Sequence, residues 1–488
     1  MGLFGRTKPL NDHEATAESA LPKTLSWPHL IAMGIGAIIG MGIFTLTGIG
    51  AALAGPGVIL SFALAGIVCA LAALAYAEVA TLIPAAGSAY TYTYTVLGEG
   101  LAWVVGWSLI LEYGLGSSAV AAGWSAHMNG LLDAWGIHIP AILAHGPWEA
   151  KVYDAAGHLI AGPGIIDILA VGIVLAIMAL LLVGARESAL VNIFLVIIKM
   201  VALGTFIFIS VPAIKTGNYH PFMPYGFWSH ANAGGTKIGV MAAAAIMFFA
   251  FYGFDAVSTS AEEAKNPGRD LTIGIIGSMV ICTIFYMVVG ACVVGVLPYT
   301  EVAKSHGEPL PYILRLMNHG FIADLVGIAA VLALPSVLLV FMFGQSRILF
   351  VMARDGLIPK GLSKLDRRGL PTRMTLITGI FVAIFAGLVP LQQIAEMANT
   401  GTLVAFIAVS LAMMILRVTR PELKRAFKVP LFWAVGVLAI AGCVFLFTSL
   451  NVSTMLFFAV WSAIGIVVYF LYGFWNSRLR KAAEAAAE

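Results

Sequence analysis

The chain has few charged residues for its length. Asp, Glu, Lys and Arg make up 10% of its 488 residues, whereas soluble globular proteins carry about 25%. Apolar residues make up 60%, and the mean hydropathy is +0.96. A chain folded in water has too little interior for so much apolar surface, so most of it faces lipid. This scarcity of charge excludes a cytosolic enzyme or a secreted domain, and a net charge of +3 is too small to indicate a polyanionic partner.

Cysteine and catalytic motifs are also scarce. The four cysteines lie inside apolar runs without a C-x-x-C spacing, which favours neither a disulfide framework nor a zinc site; they are Cys69, Cys282, Cys292 and Cys443. The sequence contains no H-E-x-x-H and no G-x-S-x-G motif. We therefore predict no enzyme activity, no cofactor and no metal site.

Long apolar runs dominate what is present. Each membrane crossing needs about 20 mostly apolar residues, and transmembrane strands would instead alternate over about 10 residues. The runs predict an all-α polytopic protein with twelve transmembrane helices. They cover residues 29–54, 57–83, 97–126, 164–184, 189–214, 238–263, 271–298, 321–353, 373–390, 400–418, 430–450 and 455–475.

Lysine and arginine predict the orientation. Of the 27 Lys and Arg residues, 21 fall on one side of the predicted membrane, together with both termini, and 5 on the other. Because positive charge is retained in the cytoplasm, we expect a multi-pass protein of the plasma or inner membrane with cytoplasmic termini. The predicted tails are residues 1–28 and 476–488.

The first span carries four glycines in nine residues: Gly34, Gly36, Gly40 and Gly42. Each glycine costs about 1 kcal/mol of helix propensity relative to alanine, so the cluster predicts an unwound segment at membrane depth. Such a segment is tolerated where its peptide groups line a cavity or bind a ligand. Gly36 and Gly40 also fit a G-x-x-x-G helix-packing face, and this span alone favours neither interpretation.

The sixth span favours the binding interpretation. Gly253 interrupts it centrally, and Asp255 follows as a possible cap or ion-pair partner. Interrupted helices at positions one and six are typical of an inverted five-helix repeat that binds substrate where the two breaks meet. We therefore expect a ten-helix core at 29–418, built from helices 1–5 and 6–10, followed by two helices at 419–475.

Two ionisable residues lie deep inside predicted spans. Lys199 has apolar residues on both sides for about a turn or more, and a charge at that depth is costly. It is therefore a candidate for gaining and losing a proton during a functional cycle, with a snorkelling lysine or a structural ion pair as the alternative. Glu112 is central to the third span, and the sequence leaves its role open between structural ion pairing and proton handling.

Two other groups are predicted to be ordinary surface features. His127 falls in the predicted external loop 127–163, where we expect it to be solvated. Tyr90 and Tyr94 belong to an aromatic repeat that we expect at the cytoplasmic interface, where tyrosine is common.

Six stretches resemble the amino acid–polyamine–organocation (APC) permease superfamily, and its cationic amino acid transporter-like branch in particular. They are 34–44 (GIGAIIGMGIF), 83–94 (IPAAGSAYTYTY), 106–113 (GWSLILEY), 253–270 (GFDAVSTSAEEAKNPGRD), 354–359 (RDGLIP) and 420–430 (RPELKRAFKVP). The resemblance covers about residues 25–475, and the stretch 253–270 is its most specific part. It implies a leucine-transporter-like 5+5 inverted repeat and proton-coupled uptake or exchange of α-amino acids across the bilayer.

The resemblance also implies a substrate site. Backbone amides of Gly40, Met41 and Gly42 would bind the substrate carboxylate. Carbonyls of Ala37 or Ile38, and of Phe249, Ala250 and Tyr252, would bind its α-ammonium. Phe254 would cover the site, and Lys199 matches the fifth-helix lysine that replaces a sodium ion in proton-coupled members.

One position departs from the pattern of family members that transport arginine or lysine. Those members have a small polar residue on the eighth helix beside the substrate side chain, where this sequence has Phe341. We therefore expect the substrates to be small to medium neutral amino acids. An amino acid exchanger, a cationic amino acid transporter and a non-transporting amino acid sensor stay open as alternatives, as does a small single-span partner subunit.

Overall fold

The computed structural model describes most of the chain. The described residues are 6–9, 25–83, 87–148, 152–153, 159–161, 164–184, 189–258, 264–305, 307–367 and 369–485. Most of the predicted N-terminal tail 1–28 therefore lies outside the described residues. Residues 84–86 and 259–263, which belong to two of the motifs above, lie outside them as well, as do residues 486–488.

Helices make up most of the described chain, and the prediction of a mainly helical protein is confirmed. In chain order the α-helices are α1 Trp27–Ile38, α2 Thr47–Ala54, α3 Val58–Leu82, α4 Ser88–Val96, α5 Glu99–Ile110, α6 Gly116–Ala134, α7 Ala141–Ala144, α8 Ile168–Val183, α9 Ala189–Ser210, α10 Val240–Met247, α11 Phe254–Ser258, α12 Pro267–Val296, α13 Tyr299–Val302, α14 Pro309–Leu316, α15 Gly320–Arg354, α16 Thr372–Leu388, α17 Leu391–Thr419, α18 Phe432–Ser449, α19 Val452–Val468, α20 Phe474–Asn476 and α21 Arg478–Ala485. The described strands form two short antiparallel hairpins, β1 Val152–Tyr153 with β2 Leu159–Ala161 and β3 His230–Ala231 with β4 Lys237–Ile238.

Eight helical stretches among the described residues are long and apolar enough to cross a membrane. Four shorter apolar helices accompany them: Trp27–Ile38, Ile168–Val183, Val240–Phe251 and Thr372–Leu388. The structure therefore supports a protein with many membrane-spanning helices, and the count of twelve stays a prediction.

Buried ionic contacts connect α3 to α17 at the predicted cytoplasmic side. Glu78, at the end of α3, accepts two hydrogen bonds from Arg417 of α17 at 2.6 and 2.7 Å and a third from Arg425 at 3.1 Å. Its second oxygen also accepts the backbone N–H of Val429 at 2.7 Å. Since this buried carboxylate is surrounded by donors, it ties α3 firmly to α17 and to the loop that follows.

The expectation for the tyrosine repeat is wrong. Tyr90 and Tyr94 are almost fully buried in α4, not placed in an interfacial belt. Their hydroxyls donate to carboxylates, Tyr90 to Asp355 at 3.0 Å and Tyr94 to Glu99 at 3.2 Å. Burial is tolerated here because each phenol finds an acceptor inside the protein.

The expectation of a solvated His127 is also wrong. Helix α6 continues to Ala134, eight residues beyond the predicted end at 126, because Leu131 still packs into the core. His127 is fully buried on this extension, and its Nε2 lies 3.2 Å from the hydroxyl of Thr45.

Candidate functional site

The first predicted span is broken, as the glycine cluster indicates. Helix α1 ends at Ile38, and Ile39 has extended backbone angles (φ −73°, ψ 96°). A π-helical turn at Gly42–Leu46 then leads into α2. Amides at the start of a helix and carbonyls at its end have no partner within the helix, so the break presents both kinds of group from one buried segment.

The sixth predicted span is broken too. Helix α10 ends at Met247, a 3₁₀ turn covers Phe248–Phe251, and α11 begins at Phe254. Between them Tyr252 is extended and Gly253 has φ +103°. Glycine adopts that angle without the steric cost that a Cβ atom would bring, so this break depends on a single residue.

The two breaks lie directly against each other. A Cβ atom on Gly253 would sit 2.8 Å from the carbonyl carbon of Ala37, and one on Gly42 would overlap the Cα atom of Ala250. Both glycines therefore permit backbone-to-backbone contact between the first break and the second. The segments that supply the predicted amides and carbonyls are adjacent and buried in the middle of the fold.

The aromatic residues predicted for the site surround the second break. Phe249 and Tyr252 stack on each other with their ring centroids 4.5 Å apart. Phe254, expected to cover the site, packs against Tyr76 and Phe406 at 5.5 and 5.1 Å. The ring of Phe341 on α15 meets the edge of another aromatic side chain, Tyr113, at 5.9 Å and lies against Gly116 at the start of α6.

Lys199 reaches the first break from α9. Its Nζ donates a hydrogen bond of 2.8 Å to the carbonyl oxygen of Gly36, and the side chain is fully buried. In a continuous helix that carbonyl would accept from the amide of Gly40, four residues further on. The lysine therefore supplies a donor where the break removes one, at the helix end that favours positive charge.

Glu112 lies beside the second break. It belongs to a π-helical turn, Leu111–Leu115, that joins α5 to α6, and its Oε2 atom is buried without a hydrogen-bond partner in the described structure. Its neighbours are the hydroxyls of Thr402 and Tyr252 and the carboxylate of Asp255. Lys199 and Glu112 thus lie beside different breaks.

Asp255 is held by the π-helical turn between α5 and α6. It lies on α11 and accepts a hydrogen bond of 2.5 Å from the hydroxyl of Tyr113. The sequence left open whether this residue caps the helix or forms an ion pair, and the tyrosine was not anticipated as a partner.

Tyr286 is another contact that the sequence did not indicate. Its hydroxyl on α12 lies 2.7 Å from the carbonyl oxygen of Ile38 and 2.8 Å from that of Ala250. One side chain thus bridges both breaks. The only signal was a tyrosine in the middle of an apolar span, where a buried hydroxyl needs a partner.

The residues around Gly307, called the external segment after the predicted orientation, pack against the second half of the first broken helix. Gly307 lies close to Ala126 of α6 and to Thr45, and Ser305 lies against Gly48. Glu308 pairs with Arg315 of α14 at 2.5 Å, and Arg315 also donates to the carbonyl oxygen of Gly130 at 3.1 Å. Burial raises the pKa of Glu308 to about 7 despite Arg315, with Asp133 and Asp324 adding to the rise.

Backbone N–H and C=O groups that have no partner within a helix can together bind a zwitterion without any charged side chain. Amides at a helix start attract a carboxylate, and carbonyls at a helix end attract an ammonium. Broken membrane helices that meet at mid-depth are the usual form of such a site in secondary transporters.

Comparison with known proteins agrees with this geometry. A family model described as amino acid permease matches residues 25–475. A branched-chain amino acid permease of Bacillus subtilis is 42% identical over 483 residues, which are 98% of this chain and all of that protein. A methylthioribose transporter of the same organism is 39% identical over 484 residues, 99% of this chain and all of that protein. Cationic amino acid transporter 3 of Arabidopsis thaliana is 37% identical over 413 residues, 82% of this chain and 63% of that protein.

These relatives are transporters, so the predictions of a membrane permease and of a protein without enzyme activity are confirmed. The resemblance to APC permeases is confirmed over nearly the whole chain. The protein belongs to the amino acid permease family of the APC superfamily.

Proposed function

We propose that this permease carries small to medium neutral α-amino acids together with protons by alternating access. Its ten-helix core at 29–418 would be a 5+5 inverted repeat, with two further helices at 419–475 and both termini in the cytoplasm of the cell. Each of the twelve predicted spans has an apolar helix or a broken pair of helices at its position. The breaks fall in the first and sixth spans, as the repeat requires.

The observation that carries this proposal is the contact between the two breaks. Gly253 touches the backbone of Ala37, and Gly42 touches that of Ala250. A bound amino acid would place its carboxylate at the amides of 40–42. Its ammonium would then meet the carbonyls of 37–38 and of 249, 250 and 252.

Coupling to protons would act through the Lys199–Gly36 bond. A protonated lysine holds the inner half-helix α1 by a charge-assisted hydrogen bond, which is worth about 1.5–3 kcal/mol. Loss of the proton weakens that bond and loosens α1 toward the cytoplasm. Glu112, beside the other break, would be a second group that handles protons.

The side-chain pocket would be limited by Phe341. Its ring fills the space between α15 and α6 beside Tyr113 and Gly116. A substrate side chain longer than that of leucine would have to displace it, so the phenyl ring selects against long cationic side chains.

Uptake into proteoliposomes tests this function. Accumulation of labelled alanine or leucine should rise when the outside is more acidic than the lumen and should not respond to sodium. Lys199→Ala should abolish accumulation driven by the pH gradient. Lys215→Ala removes a lysine from an exposed site and is the matched control. Sodium dependence without a pH response, or normal accumulation by Lys199→Ala, would contradict proton coupling.

Amino acid exchange is the second candidate. It is favoured by the fact that the ammonium of Lys199 replaces a missing peptide donor, which a permanently protonated lysine would do equally well. An exchanger would show counterflow of labelled substrate without net uptake.

The relatives also define which competitors to test. Branched-chain amino acids, methylthioribose and arginine represent the substrate classes named for them. We expect unlabelled leucine or valine to inhibit uptake most strongly. Stronger inhibition by methylthioribose would shift the substrate assignment, because that molecule lacks the carboxylate and ammonium on which the proposed site depends.

A further inference from the structure

The hydroxyl of Tyr286 lies within hydrogen-bonding distance of the main chain of both breaks. Its ring is fully buried on α12, packed against Phe62 and Phe251 with centroid distances of 5.6 and 5.2 Å. With the ring fixed in this way, the hydroxyl oxygen stays within 2.7 Å of the Ile38 carbonyl oxygen and 2.8 Å of the Ala250 carbonyl oxygen.

The hydroxyl has one proton for these two acceptors. A phenol donates a single O–H, whereas each carbonyl oxygen can accept two hydrogen bonds. One proton cannot satisfy both carbonyls fully, so each of them keeps capacity for another donor. An ammonium group carries three N–H donors and matches this need without displacing the tyrosine.

We propose that Tyr286 is a positioning residue that presets the Ile38 and Ala250 carbonyls as a paired ammonium site. The inference rests on the proposed function, because those carbonyls belong to the breaks where the substrate ammonium would bind. Tyr286 holds them at a common point before the ligand arrives, which lowers the cost of ordering the site on binding. Without the hydroxyl, the two carbonyl dipoles lose their shared donor and move apart.

The direct test is Tyr286→Phe, which keeps the ring packing and removes only the hydroxyl. We expect the KM for leucine to rise about 10- to 100-fold, from the cost of an unsatisfied buried polar group, with a much smaller change in kcat. Tyr219→Phe is the matched control, because that hydroxyl also donates to a carbonyl of α12, Ala291, at 3.0 Å but lies away from both breaks. It should leave the KM unchanged.

An analogue of leucine distinguishes a role of Tyr286 in positioning the carbonyls from a general loss of packing. 4-Methylpentanoate is leucine without its ammonium, and it should inhibit wild-type protein and Tyr286→Phe equally weakly. If Tyr286 only supports packing, leucine and this acid should lose affinity together or not at all. Either result would overturn the proposal.

A second variant provides a test that stays informative if Tyr286→Phe fails to fold. Replacing Tyr286 with 4-aminophenylalanine puts two N–H donors at the position of the hydroxyl, one for each carbonyl, and should restore the leucine KM to within about threefold of wild type. Failure of this rescue in a folded protein would contradict the proposal. Absence of amino acid transport by the wild-type protein would instead contradict the proposed function, so the two failures are distinguishable.

Discussion

The two helix breaks are built differently. The first has four glycines within nine residues, no positive φ angle, and a buried lysine that replaces one lost peptide donor. The second depends on Gly253, with φ +103° and a backbone contact that leaves no space for a side chain. We infer from this contrast that the two breaks have different roles. In the proposed mechanism the first break, held by the side chain of Lys199, is the adjustable one, and the second is fixed by backbone geometry.

The largest expected effect comes from changing the fixed break. Gly253→Ala adds a Cβ atom 2.8 Å from the Ala37 carbonyl carbon at a φ angle that alanine rarely adopts. We expect leucine uptake to fall more than about 100-fold, since strain of this kind costs on the order of 1–3 kcal/mol before the overlap is counted. Gly204→Ala, where a Cβ meets nothing within 4 Å, is the control. Normal uptake by Gly253→Ala would show that the second break is not fixed.

The substitution Lys199→Gln tests whether the first break couples transport to protons. Glutamine retains an N–H donor for the Gly36 carbonyl but has no proton to release at physiological pH. We expect counterflow to persist within about tenfold of wild type while accumulation driven by a pH gradient disappears. The two assays on one preparation of proteoliposomes measure this. Retained accumulation would mean that the first break does not couple protons through this lysine.

A change at Phe341 separates recognition of the substrate's charged groups from selection of its side chain. Phe341→Ser opens the space next to Tyr113 and Gly116, so we expect the KM for alanine to rise about tenfold, which is about 1.4 kcal/mol, and arginine to begin to compete. Phe343→Ser, two residues along on a half-buried site, is the control. Competition assays with labelled leucine distinguish the variants. Unchanged exclusion of arginine would contradict the assigned role of Phe341.

The smallest effect is expected outside both breaks, at Glu308. Its pKa is about 7 when the external segment is closed, against an ordinary value of 4.5 when hydrated, since burial outweighs the attraction of Arg315. The closed form therefore binds the proton more tightly. We therefore expect closure of the external segment over the first broken helix to be favoured at acidic pH and to weaken as the pH rises from about 4.5 to 7.

Labelling of Ala126→Cys by an impermeant maleimide measures this opening, because the four native cysteines are buried. The labelling rate relative to the same protein carrying Glu308→Gln should rise severalfold between pH 5 and pH 7.5. The ratio cancels the titration of the thiol itself. A constant ratio would show that Glu308 does not control the outer segment.

The sequence predicted both breaks because glycine acts locally on helix propensity. It placed the start of the tenth span at 400, whereas α17 begins at Leu391. The missed turns carry polar residues that the fold satisfies at a distance: Asn399 donates to the Ala245 carbonyl at 2.7 Å, and Asn451 donates to Glu396 at 2.7 Å. Polarity alone made these turns resemble a loop.

Contacts between distant parts of the chain explain why the sequence did not indicate the partners of the site residues. The partner of Lys199 lies 163 positions away in the chain, and the carbonyl acceptors of Tyr286 lie 248 and 36 positions away. No local pattern encodes such contacts. The positions of the breaks were predictable from glycine, whereas the contacts that side chains make with them were visible only in the folded structure.

Recognition of a zwitterion by the peptide groups of both breaks is tested most directly by competition with divided ligands. Leucine, 4-methylpentanoate and 3-methylbutylamine share one apolar side chain and differ in whether they carry both charged groups, only the carboxylate or only the ammonium. Inhibition of labelled leucine uptake should weaken at least about 100-fold for each single-charge analogue, since each loses a set of charged hydrogen bonds. If either analogue competes as strongly as leucine itself, one of the two breaks does not bind the substrate.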